Sequence, residues 1–270
     1  MSRRRQLWIV AAALIVAMGV AGCLLWWWHP DENLEAWRAG PPPQRWAVWM
    51  RQERLWRDEG LDRRPHHVYV ALEEISIDLQ LAVLVSEDIN FFGHGAVDPE
   101  AVGEALEEWW DGSRLRGAST ISQQLARTLF LSADRSLWRK LKELRLAWWM
   151  ERRLGKKRIL ELYLNVVEFG PGLLGAEAAS RHYHGVGAEI LPAEYAAGLA
   201  ATLPSPSRDN PYTATELWDL RIETILRRMD GAVWLRERLE ALNGVVRTEE
   251  EPQPESETEA GPQNTVPKPK

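Results

Sequence analysis

The alternation of apolar and polar positions divides the chain into one long uncharged block and a series of helical stretches. Residues 7–28, LWIVAAALIVAMGVAGCLLWWW, carry no charge and follow directly on Arg3, Arg4, Arg5 and Gln6. At about 1.5 Å per residue this block matches a hydrocarbon core of roughly 30 Å, so one N-terminal transmembrane helix is expected. The arginines would stay cytoplasmic, and Trp26, Trp27 and Trp28 would meet the opposite interface. A cleaved signal peptide is one alternative, and a lipidated Cys23 in the VAGC stretch at 20–23 is another. All three place the body of the chain outside the cytoplasm.

Residues 29–66 set Trp37, Trp46, Trp49 and Trp56 among arginines, with GPPP at 40–43 breaking the segment. Two readings stand side by side: a linker with a helix packed on the core, or an amphipathic belt at a membrane surface. Beyond it, ISIDLQLAVLVSED (75–88) has helical apolar spacing. Asp98 and Pro99 form a cap followed by proline, opening a helix to about Trp110. Thr120 with Gln123 predicts a capping box and a helix to about Leu129. Asp134 or Ser136 starts another through Arg153, stopped by Gly155. KKRILELYLNVVEF makes one more, GPGLLG (170–175) interrupts, and Pro192 opens a helix to about Thr202. Residues 214–229 form the last. Only HHVYVAL shows alternation, which allows a small hairpin near 66–72. The expected fold is mainly α, divided as 1–28, 29–66, a catalytic body at 67–235, and 236–270.

Composition narrows the function. A length of 270 residues supports one substantial core and a small extra lobe. The net charge of -6 gives no reason to expect nucleic acid. A single cysteine excludes an internal disulfide framework and any multi-cysteine metal site. From Thr248 onward six Glu and two Lys stand among prolines, a composition expected to be disordered.

Three stretches carry candidate chemistry. RGASTISQQLART (116–128) is too rich in amides and hydroxyls for a core helix and suits a site that holds a sugar and a phosphate. In RKLKELRLAWWME, Arg139 and Lys140 lie four and three residues before Glu143, on one helix face. Taken alone this stretch reads first as an i,i+4 ion-pair ladder. In SEDINFFGHGAVD, Glu87 precedes Asp88, Phe91, Phe92 and His94, and burial beside aromatics would raise its pKa toward that of a general base. His182 and His184 lack a further ligand and are expected to be structural.

These stretches occur in an order that resembles the peptidoglycan glycosyltransferases, specifically the monofunctional members of glycosyltransferase family 51, across roughly residues 75–230. SEDINFFGH matches the first motif through Glu87, Asp88, Phe91 and His94. GASTISQQ matches the second through Gly117, Ser119, Thr120, Gln123 and Gln124. RKLKE supplies Arg139, Lys140 and Glu143, and KKRILELYLNVVEFG supplies Ile159, Leu160, Glu161, Tyr163, Leu164, Asn165 and Gly170. RIETILRRM resembles the fifth motif through Arg221, Leu226 and Met229. Two positions depart from the pattern: Ala96 replaces a glycine, and Arg127-Thr128 replaces Lys-Asn.

The resemblance implies a lysozyme-like helical lobe with a small membrane-proximal jaw lobe near 98–118, where Trp109 and Trp110 would face the interface or the core. It implies lipid II as substrate and inverting β-1,4 transfer that releases undecaprenyl pyrophosphate, with Glu87 as base and Glu143 as the second functional carboxylate. His94, Ser119, Thr120, Gln123, Gln124, Arg127, Arg139, Lys140 and Asn165 would bind substrate or pyrophosphate. Glu143 would act through a divalent cation (magnesium or manganese) or through a basic side chain. Implied partners are lipid II, the growing glycan chain, the membrane, penicillin-binding transpeptidases and division or elongation proteins, without nucleic acid. The implied location is the inner membrane, single-pass, with the catalytic domain on the periplasmic side. A peptidoglycan-cleaving muramidase and a non-catalytic scaffold are the rival readings.

Overall fold

The computed structural model of the chain describes residues 12–20, 22–24, 34–43, 45–110, 119–134 and 136–245. The three arginines at 3–5, Trp26 to Trp28, loop 111–118 with Gly117, the side chains of Trp109 and Trp110, and the acidic tail lie outside the described part.

Residues 12–20 and 22–24 are helical (α1). The body contains α2 (Ala47–Asp58), α3 (Ile77–Glu87), α4 (Pro99–Trp110), α5 (Ile121–Phe130), α6 (Leu137–Val166), α7 (Ala176–His184), α8 (Ala193–Thr202), α9 (Glu216–Gly231) and α10 (Val233–Leu242). A small sheet joins β1 (His66–His67), β3 (Leu173–Leu174) and β2 (Glu168–Gly170) in that spatial order. The fold is therefore mainly α, as the periodicity predicts.

Local signals set most helix starts. Side chains of Ser76, Thr120, Ser136 and Thr215 each accept a backbone N–H three residues on, and Asp98 accepts from Glu100 and Ala101. The capping box at Thr120 is only half made, because Gln123 turns its amide elsewhere. Gly155 adopts φ 75° and kinks α6 where two separate helices are predicted.

Packing supplies the rest. α3 is buried over seven consecutive residues, Leu79 to Val85, and packs on α8, which carries Ala196, Ala197, Gly198, Ala200 and Ala201. These small residues allow close approach. Trp218 of α9 closes over Gly198, its indole donating to the Gly198 carbonyl at 3.0 Å. α5 packs along α6, and α2 packs against α5. Trp37, Trp46 and Trp49 are buried in the main core, which supports the packed-helix reading of 29–66 over a surface belt.

Two expectations need correction. The predicted local hairpin near 66–72 is absent: β1 pairs in parallel with distant β3, and the hairpin is β2–β3. A further helix, α10, follows α9 after Ala232; it buries only Leu235 and Leu239, too weak a stripe to stand out in sequence.

The expected N-terminal transmembrane helix is also corrected. Among the described residues no helix is long and apolar enough to cross a membrane. The described stretch 12–20 is helical and exposed, and at 1.5 Å per residue it spans only about 14 Å. The single-pass topology, inner-membrane location and periplasmic catalytic side rested on that helix and are withdrawn with it.

Arg158 locks the N-terminal segment onto the body. Its Nε donates to the Trp37 carbonyl at 2.7 Å and its Nη2 to the Gly40 carbonyl at 2.6 Å. Nη1 reaches the Tyr69 hydroxyl and Glu161. Arg158→Ala removes all of these and leaves Glu161 without its cation, so chemical denaturation should show a loss of about 3 kcal/mol. Limited proteolysis should then cut first within residues 34–45.

Candidate active site

Glu87 is the last residue of α3, placed where that buried helix ends. Its Oε2 accepts from Gln124 Nε2 at 2.8 Å, and Gln124 Oε1 accepts from the Tyr163 hydroxyl at 3.0 Å. Tyr163 is fully buried; burial, then the Glu87 charge, push its pKa well above 10. It stays a donor and fixes the Gln124 amide with its NH₂ toward Glu87. Burial raises the Glu87 pKa, while the Gln124 hydrogen bond and the charges of Arg127 and Arg221 only partly oppose it.

Asp88 holds the next layer. Its Oδ2 accepts from Ile121 N at 2.9 Å, reinforcing the start of α5, and its Oδ1 lies 2.6 Å from His94 Nε2. His94 Nδ1 lies 2.6 Å from the Gly95 carbonyl, so both ring nitrogens face acceptors and the doubly protonated ring fits. Burial lowers the His94 pKa, but the bonds to Asp88 and Gly95 outweigh it and the net shift is upward. With a side chain 3% exposed, His94 is placed to hold Asp88. The Ala96 carbonyl accepts from Thr120 Oγ1 at 3.0 Å and Gln123 Nε2 at 2.7 Å. Among the described non-glycine residues only Ala214 has positive φ, so the methyl of Ala96 sits in ordinary backbone and the departure from glycine is accommodated.

Lys140 commits its three donors to Ser119 Oγ at 3.0 Å, Gln123 Oε1 at 2.8 Å and Glu143 Oε1 at 2.6 Å. Arg139 Nη1 meets the other Glu143 oxygen at 2.8 Å. Glu143, 1% exposed, thus sets the direction of two cations. Arg139 Nε is buried without a partner, a donor still to be satisfied. A divalent cation on Glu143 does not fit this donor set, since each oxygen already accepts from a cationic side chain. Among the described residues the three-ligand cluster of metal-binding type is Asp88, His94 and Asp98, away from Glu143.

A cavity of about 330 Å³ is lined by Gln124, Arg127, Arg139, Arg51 and Glu168. A second, of about 240 Å³, is lined by Glu87, Asp88, Ser119, Thr120 and Arg228. Glu87 also faces Arg221 and Arg228 in a neighbouring hollow. Of the predicted residues, Gln124, Arg127 and Arg139 line the first cavity and Glu87, Ser119 and Thr120 the second, and the Gln124–Glu87 hydrogen bond joins the two. Gln123, Lys140, His94 and Glu143 support them from behind. Asn165 stands apart: it is fully buried, exchanges hydrogen bonds with the Val70 backbone, and donates to the Glu161 carbonyl. His182 and His184 pack on aromatic rings, His184 stacking on Tyr195 at 4.2 Å.

Tyr163, Arg228 and Arg51 were not predicted as site residues. Arg221 and Arg228 are seven apart on α9, two turns on one face, which is a legible signal. Tyr163 stands in a matched motif but its contact with Gln124 was not legible, and Arg51 gave no signal, because only tertiary packing brings them to α5.

A carboxylate of raised pKa beside a pocket of guanidinium groups suits general-base chemistry on an anionic substrate. The family model described as Transglycosylase matches residues 55–230. The chain is 41% identical over 235 residues to the biosynthetic peptidoglycan transglycosylase of Bordetella pertussis, covering 84% of this chain and 96% of the relative. It is 40% identical to that of Herminiimonas arsenicoxydans over 73% of this chain and 85% of the relative. With that of Methylobacillus flagellatus it shares 48% identity over 141 residues, 62% of the relative. The chain belongs to the transglycosylase family and is a peptidoglycan glycosyltransferase.

Two pH-dependent outcomes follow from the shifts. Because the folded protein raises the Glu87 pKa, ionisation at neutral pH opposes folding, so Glu87→Gln should melt higher than the native protein at pH 7.5. That gain should vanish below the ordinary glutamate value of 4.5, where the native carboxyl is neutral too. His94 has a raised pKa, so its contribution is full below 6.5 and is lost as pH rises through the folded value. His94→Gln should therefore cost more stability at about pH 5.5 than at about pH 9, measured by thermal melts.

Proposed function

We propose that the chain polymerises lipid II into linear glycan strands, with Glu87 as the general base at the sugar hydroxyl. The observation that carries this reading is the Tyr163–Gln124–Glu87 chain, which orients a carboxylate of raised pKa beside the arginine-lined cavity. Glu87 takes the proton from the 4-hydroxyl of the acceptor sugar as that oxygen attacks C1 of the donor. The C1–O bond to the diphosphate breaks with inversion, and one further negative charge develops on the leaving undecaprenyl pyrophosphate.

Arg127 and Arg139, which line the cavity, receive that charge. Lys140 acts through its charge, its donors being held by Ser119, Gln123 and Glu143. The part expected of a magnesium or manganese ion falls in this reading to Arg139 and Lys140, which Glu143 directs. An uncrosslinked strand requires a separate peptide-joining activity, so penicillin-binding transpeptidases and division or elongation proteins are the fitting partners.

Labelled lipid II separates the readings. The native protein should yield a muramidase-sensitive polymer, and Glu87→Gln should lower the rate about 10³-fold. Release of soluble fragments from intact peptidoglycan would support a muramidase, and binding without polymer would support a scaffold.

A further inference from the structure

A third guanidinium reaches the cavity beside Glu87 from outside the stretch matched by the family model. Arg51 lies on α2, ahead of residues 55–230, and the packing of α2 on α5 brings it to the same pocket as Arg127 and Arg139. We propose that Arg51 is a diphosphate-binding residue that closes the far side of this pocket and contacts one phosphoryl group of the donor. The proposal rests on the lipid II reading.

Three observations carry it. First, Arg51 is held loosely: its ion pair to Glu168 Oε2 measures 3.8 Å, too long for a hydrogen bond, and its side chain is 41% exposed. Glu168 Oε1 accepts from Gln52 Nε2 and Gly172 N, so the carboxylate is anchored and Arg51 is left free to turn to another acceptor. Secondly, Arg139, which lines the pocket with Arg51, has a buried Nε without an acceptor, so its guanidinium is not fully satisfied by the protein. Thirdly, Lys140 cannot supply further donors, as all three are committed within the protein. A diphosphate has two phosphoryl groups, and Arg51, Arg127 and Arg139 together line the pocket that would take them. A guanidinium presents paired donors to phosphate oxygens, which a lysine at this position would not reproduce fully.

The phosphoryl groups are charged before and after transfer, so Arg51 serves binding more than the bond-breaking step. Lipid II kinetics and calorimetric binding of inorganic pyrophosphate should be measured for the native protein, Arg51→Gln and Arg51→Lys. Arg51→Gln should raise KM for lipid II and the pyrophosphate Kd together, each about fivefold, with kcat changed less than about twofold. The melting temperature should stay put, and Arg51→Lys should recover part of both losses. An unchanged pyrophosphate Kd in Arg51→Gln overturns the proposal, even if polymer forms normally. If the native protein makes no polymer yet its pyrophosphate affinity depends on Arg51, the anion site stands and the lipid II reading falls.

Discussion

The first turn of α5 is held from three directions, and the geometry of the site follows from those contacts. Asp88 accepts the Ile121 N–H, the Ala96 carbonyl receives Thr120 and Gln123, and Lys140 reaches back from α6 to Ser119 and Gln123. Once that turn is fixed, Gln124 has one direction in which to present its amide, and that direction is Glu87. The three contacts come from the loop after α3, the loop before α4 and the third-motif helix. Motifs far apart in sequence are thus different walls of one short turn.

Electrostatics explains why the buried charges are tolerated. Glu143 has nearly no exposure, and a lone carboxylate there would be strongly unfavourable. Arg139 and Lys140 neutralise it and leave a net positive charge facing the groove. The buried acid is the fixture that stops two long, flexible cations from wandering. Glu87 is treated in the opposite way: among the described residues it has one amide donor and no ion pair, so burial prevails and its basicity rises.

Much of this was legible along the chain. The helix starts at Ser136 and near Thr120 and the break at Gly155 are local, because caps and positive-φ glycines act within a few residues. Arg139, Lys140 and Glu143 fall on one face by helical geometry alone. The errors have physical causes as well. An uncharged run at 7–28 measures hydropathy and not helix length, and among the described residues no helix is both long and apolar enough to cross a membrane. The partners of motif residues were not legible either: Asn165 is bonded to the Val70 backbone and His94 to Asp88, because polar side chains in a core must satisfy one another.

By itself the sequence determined the helical class and the order of the motifs, since each is written in residue type and short-range spacing. Tertiary structure alone decided which groups face the substrate. Tyr163 lies 39 residues from its partner Gln124, and Gln124 lies 37 from Glu87. Arg51 enters the pocket only because α2 folds onto α5. Contacts of that range are set by the packing of whole helices, and no local pattern of side chains encodes them.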